Sequence, residues 1–108
     1  MKTNEFQQRL KQFYKETGGF EEENLLSVVI LAENIGEVAR ILRDMEYGSH
    51  PLNTTPNTYK TNKNLLSEKL GDILGTITFI ANQHDIQLQD ICKNHIEKLE
   101  KIHTMMHN

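Results

Sequence analysis

Two segments of the chain repeat a pattern in which acidic residues lie four positions apart, with a glycine directly before the second acid. We call these the acidic segments: the first runs from Glu33 to Glu37, and the second from Glu68 to Asp72. Like charges at this spacing destabilise a helix by roughly a few tenths of a kcal/mol, and an interior glycine costs about 1 kcal/mol relative to alanine. A pattern that opposes helix stability in two places calls for a compensating reason.

The chemistry that these residue types could perform is the binding of a hard divalent cation. Carboxylates gathered between two helices supply the oxygen ligands that Mg²⁺ prefers, and bound Mg²⁺ often contacts substrate phosphates as well. Gly36 and Gly71 would let another helix or a ligand approach the backbone closely. The alternative is that the acids form solvated helix faces paired with lysines. Because the pattern occurs twice with matching glycines, we favour the metal site.

The elements that must position these residues are helices. Apolar residues recur at intervals of three and four, which predicts an all-α protein, and no segment shows the alternation of a strand. A stretch rich in Gly, Pro, Asn and Thr, from Tyr47 to Lys63, predicts a long loop. The length predicts a single domain over residues 1–108. The helices are predicted over Asn4–Glu16 and Glu22–Met45, from near Asn64, and from near Gln87.

The second predicted helix is apolar on more than one side. Between Leu25 and Ala32, apolar residues surround its axis. A helix of this kind is buried on several sides, which is hard to achieve within one small bundle. We therefore expect a four-helix bundle subunit that assembles with copies of itself into a dimer or tetramer. The alternative is a central helix that is covered by its own neighbours.

Composition excludes several classes of protein. The chain has 12 basic and 15 acidic residues, a net charge of −3, whereas a binder of nucleic-acid polymers usually has a basic surplus. No apolar stretch is long enough to span a bilayer, and no secretory signal is evident, so we expect a cytoplasmic protein without a membrane partner. Cys92 is the only cysteine, which excludes an internal disulfide. Its position predicts a small packing residue, and that of His95 a core or interface histidine.

The acidic segments and their flanks resemble those of the MazG-like, all-α nucleotide pyrophosphohydrolases. The family pattern is roughly L-x-E-E-x-G-E in one helix and, after a loop, E-E-x-G-D-x-L in the next. This chain has Leu31-Ala-Glu-Asn-Ile-Gly-Glu37 and Leu66-Ser-Glu-Lys-Leu-Gly-Asp-Ile-Leu74. The segment from Ile80 to Leu88 is similar to the family's passage from the third to the fourth helix. The resemblance covers roughly residues 20–102.

The resemblance implies a specific activity. Family members hydrolyse a nucleoside or deoxynucleoside triphosphate, or a related nucleotide, to the monophosphate and pyrophosphate. They use Mg²⁺, or in some cases Mn²⁺, bound by an E-x-x-E pair and an E-x-x-D pair, and they work as dimers or tetramers. The metal would neutralise the triphosphate and activate a water molecule. Glu37 and Asp72 match the family pattern, and we expect them to be catalytic residues and metal ligands.

Two of the four expected ligand positions depart from the family pattern. Asn34 stands where the first Glu of E-x-x-E is expected, and Lys69 stands where the Glu of E-x-x-D is expected. The amide oxygen of Asn34 can still coordinate a metal, whereas a protonated lysine offers only hydrogen-bond donors. On a helical wheel, the apolar stripe of the second helix centres near Ile35 and Leu42, and we expect this stripe to face the core. Asn34 and Lys69 are the most inward polar positions of their helices. We therefore expect the affinity for Mg²⁺ to be strongly reduced.

Two hypotheses follow from these departures. In the first, which we favour, Glu33 and Glu68 serve as substitute metal ligands beside the two matching carboxylates, and the chain is a Mg²⁺-dependent nucleotide pyrophosphohydrolase. In the second, the Lys69 ammonium replaces the metal among Glu37, Asp72 and Glu33. The chain would then be an impaired or inactive family member that acts as a nucleotide- or protein-binding helical module.

The last helix carries two further candidates. Family members often have N-x-K-F-x-x-R there to meet phosphates, and Lys98 matches its lysine, so we expect Lys98 to bind phosphate. The alternative is an ordinary solvated lysine. His103 and His107 lie four residues apart and could share a metal. No acidic partner is fixed near them, so we favour an ordinary surface pair.

Overall fold

The computed structural model describes residues 1–19, 24–47 and 56–107, and all of its regular structure there is helical. No strand occurs within these ranges. The all-α prediction is therefore confirmed. The helices are α1 (Thr3–Thr17), α2 (Asn24–Tyr47), α3 (Pro56–Gln83) and α4 (Leu88–Met106).

The third helix begins earlier than the sequence pattern indicated. We predicted a loop from Tyr47 to Lys63 and a helix from near Asn64, but α3 already begins at Pro56. The loop prediction is therefore wrong for Tyr47, which ends α2, and for residues 56–63, whereas residues 48–55 lie outside the described part of the chain. Proline is favoured at the first position of a helix, because its missing N–H would have no partner there anyway. This preference outweighed the loop-forming composition of the segment.

The first of two compact units in the chain comprises Met1–Glu21 and Thr78–Asn108. A buried glutamine of α1, Gln7, holds it together. The Gln7 side chain donates hydrogen bonds to the Ile86 carbonyl (2.8 Å) and the Asn82 side chain (3.0 Å), and accepts one from the Leu88 backbone N–H (2.7 Å). Gln7 thereby satisfies one of the N–H groups that the first turn of α4 leaves without a helical partner.

Aromatic packing and two left-handed residues complete this unit. The Tyr14 ring packs edge-on against Phe79, with centroids 4.8 Å apart. Helix α1 ends at Gly18, whose φ of 78° places it in the left-handed region that glycine adopts without strain. Asp85, with a φ of 54°, turns the chain between α3 and α4. Aspartate tolerates this conformation better than most residues, because its side chain can hydrogen-bond locally.

The second compact unit, Glu22–Ile77, contains α2, the first part of α3 and both acidic segments. On α2 the buried side chains include Ile41 and Ser27. We predicted a core-facing stripe centred near Ile35 and Leu42, yet both are exposed in the single chain. That prediction is wrong for the chain by itself. Since α2 is apolar on several sides, periodicity alone cannot decide which side the chain covers.

Within the described ranges, no helix is both long enough and apolar enough to cross a membrane.

Candidate functional site

The acidic segments lie in the middle of two helices, where helical spacing places their acids along one face. On α2 this puts Glu33 one turn before Glu37, and on α3 it puts Glu68 one turn before Asp72. All four carboxylates are exposed in the single chain. Such exposure leaves the acids accessible to water and to a ligand.

Lys69 brings the two acidic segments together. Its Nζ lies 3.1 Å from Oε2 of Glu37 on α2 and 3.8 Å from Oδ2 of Asp72 on α3. We call this pair of contacts the Lys69 bridge. The contact with Asp72 joins residues one turn apart on α3, whereas the contact with Glu37 joins the two helices. Lys69 therefore occupies the place among the matching carboxylates that the second sequence hypothesis gave to it.

The Lys69 side chain is less exposed than those of its partners. It is 24% exposed, whereas the side chains of Glu37 and Asp72 are 47% and 49% exposed. A lysine can cover its long aliphatic stem while its ammonium keeps contact with water. The lower exposure of Lys69 therefore describes the whole side chain, and the salt bridge lies at the surface of the single chain.

The surroundings of Lys69 stabilise its charged form. Its pKa is raised above the usual 10.5, chiefly because its side chain donates a hydrogen bond to Glu37 and is attracted by the charge of that carboxylate. The charges of Asp72 and Glu68 raise the pKa further, while partial burial opposes them. Lys69 is therefore a permanent cation at neutral pH and has no lone pair to offer a metal.

Glu33 is the third carboxylate that we expected near Lys69, but the structure shows no close contact between the two side chains. Glu33 lies beyond ion-pair distance of the ammonium, while the charge of Glu68 does act on it. The predicted set of Glu37, Asp72 and Glu33 around Lys69 is therefore reduced to Glu37 and Asp72. The reason lies in the helix geometry, since Glu33 is one full turn before Glu37 on α2.

The residues at this site do not fit a divalent cation in the way that the resemblance implies. Asn34 is neutral, Glu37 and Asp72 contribute one negative charge each, and Lys69 contributes one positive charge, so the net charge is −1. In the part of the chain that the structure describes, no three His, Cys, Asp or Glu side chains form a group that could hold a metal. The assignment of Glu33, Glu37, Glu68 and Asp72 as ligands stays a prediction.

The two glycines of the acidic segments do not provide a close approach within this chain. A Cβ atom built onto Gly36 or Gly71 would meet nothing within 4 Å. We expected these glycines to admit a helix or a ligand, and no residue that the structure describes takes that place. A ligand or a second chain could use this room.

The remaining candidates are all on the surface. Lys98, His103 and His107 are exposed on α4 or just after it, and the two histidine rings lie 4.2 Å apart. Cys92 and His95 are exposed as well, so the core position predicted for Cys92 is wrong for the single chain. The cause is that most of the apolar face of α4 beyond Leu88 is uncovered in this chain.

Ser27 is among the buried polar residues that sequence reasoning missed. The hydroxyl of Ser27 on α2 is buried and has no hydrogen-bond partner. It stands alone within the apolar run that begins at Leu25, and this isolation is a signal that could have drawn attention to it. A buried hydroxyl without a partner is energetically unfavourable.

Comparison with known proteins settles the family. Residues 20–107 match the family model described as the MazG nucleotide pyrophosphohydrolase domain. The chain belongs to this family. It is also 34% identical over 92 residues to "Uncharacterized protein YvdC" of Bacillus subtilis (strain 168), an alignment that covers 85% of this chain and 87% of that protein. No solved structure matches the chain significantly.

Membership of the MazG family confirms the resemblance drawn from the acidic segments. The match includes α2, α3 and α4, and therefore contains both acidic segments. It begins after α1, the helix that supplies Gln7 to the first unit. Within the matched region, the Lys69 bridge joins the two acidic segments.

Proposed function

We propose that this chain binds a nucleoside triphosphate or a related nucleotide, and that its Mg²⁺-dependent pyrophosphohydrolase activity is strongly impaired. Membership of the MazG nucleotide pyrophosphohydrolase family supports the class of ligand. The Lys69 bridge is the single observation that carries the second part, because it places an ammonium in contact with the two carboxylates that match the family pattern. The proposed function is thus the alternative of the two sequence hypotheses.

Electrostatics support the impairment. An ammonium beside Glu37 and Asp72 repels a divalent cation, and it also engages the oxygens that such a cation would need. Asn34 offers only one neutral oxygen at the other altered position. Hydrolysis of a triphosphate to a monophosphate and pyrophosphate requires neutralisation of a highly charged phosphate chain. The net charge of −1 at these four positions has the same sign as the phosphate chain, so these side chains by themselves do not neutralise it.

The second candidate function is Mg²⁺- or Mn²⁺-dependent hydrolysis with Glu33 and Glu68 as substitute ligands. It is favoured by the exposure of both carboxylates and by their position one turn from Glu37 and Asp72. For this function the Lys69 ammonium would have to leave the matching carboxylates when the nucleotide arrives. The two candidates differ in whether the wild-type chain turns over nucleotide at all.

A second copy of the chain is the proposed protein partner, in a dimer or tetramer. The support is the large number of exposed apolar side chains on α2 and α4. They include Leu25, Leu26, Val28, Val29, Ile35 and Leu42 on α2, and Ile96, Leu99, Ile102, Met105 and Met106 on α4. Exposed apolar surface of this extent is typical of protein interfaces. The proposed location of the assembly is the cytoplasm.

Release of pyrophosphate tests the proposed function. The common ribo- and deoxyribonucleoside triphosphates would be incubated with the wild-type chain and with the double variant Asn34→Glu, Lys69→Glu, in Mg²⁺ and in Mn²⁺. We expect little turnover by the wild type and a clear gain for the double variant, while calorimetry detects nucleotide binding to both. Rapid turnover by the wild type would contradict the impairment and favour the substitute ligands. Lack of binding by any nucleotide would contradict the ligand class.

Lys98 offers a separate test of the phosphate contact. Because Lys98 is exposed on α4, its replacement by methionine should leave the fold intact. We propose that Lys98→Met weakens nucleotide binding roughly 10- to 150-fold, as expected for loss of one charge-assisted hydrogen bond. The matched control is Lys93→Met, a substitution at another exposed lysine of the same helix. Equal binding by the two variants would identify Lys98 as a solvated lysine.

A further inference from the structure

We propose that Lys69 is a built-in replacement for a divalent cation. Its ammonium ties α2 to α3, so that the second compact unit folds and keeps these helices together without metal. The inference deepens the proposed function and rests on the same site. It goes further by giving the ammonium a positive role, namely that of a counter-ion supplied by the chain itself. Its consequence is that the stability of the wild-type protein does not depend on Mg²⁺.

The geometry shows how one ammonium serves two helices. The Nζ atom contacts Glu37 on α2 at 3.1 Å and Asp72 on α3 at 3.8 Å. An ammonium has three N–H donors and can direct them to separate acceptors. A divalent cation bound between two helices would perform the same task, since oxygen ligands from both helices can coordinate it at once. The Lys69 bridge therefore links the same pair of elements that a shared metal would link.

No other ion pair duplicates this link in the described part of the chain. The remaining ion pairs of this unit, Arg40 with Asp44 and Arg43 with Asp44, lie within α2 alone. Glu37 would otherwise face Asp72 and Glu68 across the two helices with no positive charge between them. Removal of the ammonium thus leaves like charges facing one another, which destabilises the closed unit.

An ordinary surface salt bridge is the alternative, and such pairs contribute little to stability. One observation separates Lys69 from that class. The ammonium contacts two carboxylates rather than one, and these lie on different helices. The direction of its pKa, which is raised chiefly by Glu37, agrees with a cation held at its place.

Thermal unfolding without nucleotide tests the inference. Wild type, Lys69→Met and the double variant Asn34→Glu, Lys69→Glu would be unfolded in a chelator and in Mg²⁺, with ionic strength matched by NaCl. The matched control is Lys63→Met, since Lys63 is an exposed lysine earlier on α3. We expect the wild-type Tm to be the same with and without Mg²⁺. We expect Lys69→Met to lower the Tm in chelator by about 2–6 °C, and Lys63→Met to leave it unchanged.

The double variant supplies the decisive comparison. Replacement of Asn34 and Lys69 by glutamate gives the four positions a charge of −4, so we expect a lower Tm in chelator and a rise with each increase in Mg²⁺. Should that variant fail to fold, Lys69→Met alone still tests the inference by its Tm in chelator against that of Lys63→Met. A wild-type Tm that rises with Mg²⁺, or equal Tm values for the two single variants, would overturn the inference.

The thermal experiment is independent of the proposed function. If the wild-type Tm does not change with Mg²⁺ and the wild type nevertheless turns over nucleotide, the proposed impairment is contradicted and the role of Lys69 is retained. A wild type that is stabilised by Mg²⁺ yet binds nucleotide without turnover would contradict the role of Lys69 and leave the proposed function intact.

Discussion

A single lysine changes the chemistry of this site without changing the helix that carries it. Lysine and glutamate have similar helix propensities, so Lys69 fits α3 as well as the glutamate of the family pattern would. The charge at that position nevertheless changes from −1 to +1. Because Lys69 contacts both Glu37 and Asp72, the change acts on both matching carboxylates at once. Relative to the pattern that the resemblance implies, the helix is retained while the charge at this position differs.

The raised pKa of Lys69 predicts how the Lys69 bridge responds to pH. A group whose pKa is higher in the folded than in the unfolded chain adds stability below the unfolded value, here about 10.5, and loses that contribution as pH rises through the folded value. We expect the stability difference between wild type and Lys69→Met to be constant from neutral pH to about 10 and to shrink above 10.5. Urea unfolding across this range measures it. A difference that grows with alkaline pH would contradict the prediction.

At the residue scale, sequence reasoning gave the contacts of Lys69 with Glu37 and Asp72 as the less favoured of two hypotheses, and it missed those of Gln7. Lys69, Glu37 and Asp72 follow helical spacing within two segments of known pattern, so their faces could be predicted. Gln7 lies on α1 with polar neighbours, Gln8 and Arg9, and nothing local marks it as buried. Its burial depends on backbone groups far along the chain, and periodicity carries no information about such groups.

Removal of the Gln7 side chain should destabilise the first unit. Gln7 is only 6% exposed and accepts a hydrogen bond from the Leu88 N–H, which has no replacement partner inside α4. We expect Gln7→Ala to lower the free energy of unfolding by about 1–3 kcal/mol, the usual cost of a buried donor without a partner. Denaturant unfolding measures the loss, with the exposed Gln8→Ala as control. Equal stabilities for the two variants would show that water replaces the Gln7 side chain.

At the scale of the elements, the start of α3 shows where composition misleads. The segment from residue 47 to 63 contains Pro, Asn, Thr and Gly, all of which are typical of loops. From Pro56 onward it is nevertheless helical. A proline at the first position of a helix favours helix, whereas the same residue a few positions later opposes it. The composition of a segment includes such a proline but does not show whether it stands at the first position of a helix or inside it.

The open glycines of the acidic segments allow a prediction about helix stability. Since a Cβ on Gly36 or Gly71 would meet nothing within 4 Å, alanine fits there, and it stabilises a helix by about 1 kcal/mol relative to glycine. We expect Gly36→Ala and Gly71→Ala each to raise the free energy of unfolding by about that amount, measured in urea without nucleotide. A loss of stability would mean that a second copy of the chain packs closely against these glycines.

At the scale of the whole molecule, apolar exposure is the property that a single chain does not account for. Apolar side chains are exposed on α2, on α3 and along most of α4. Periodicity could predict that these residues prefer burial, but not whether their cover comes from the same chain or from another one. Ile35 illustrates the point, since it belongs to the predicted core stripe and is 53% exposed. Its preference for burial is met only if another surface covers it.

Assembly with a second copy can be tested on α2, in the apolar run one turn before the first acidic segment. Val29 is 47% exposed in the single chain, so a glutamate there reaches water without disturbing the fold. At an interface between copies, the same charge would be buried without a partner, at a cost large enough to dissociate the copies. We expect the wild type to sediment as a dimer or tetramer and Val29→Glu to sediment as a folded monomer. Gln8→Glu, which adds the same charge at an exposed position of α1, should retain the wild-type mass. If Val29→Glu keeps the oligomeric mass, the interface does not use this part of α2. If the wild type is monomeric at high concentration, a second copy is not the surface that covers these side chains.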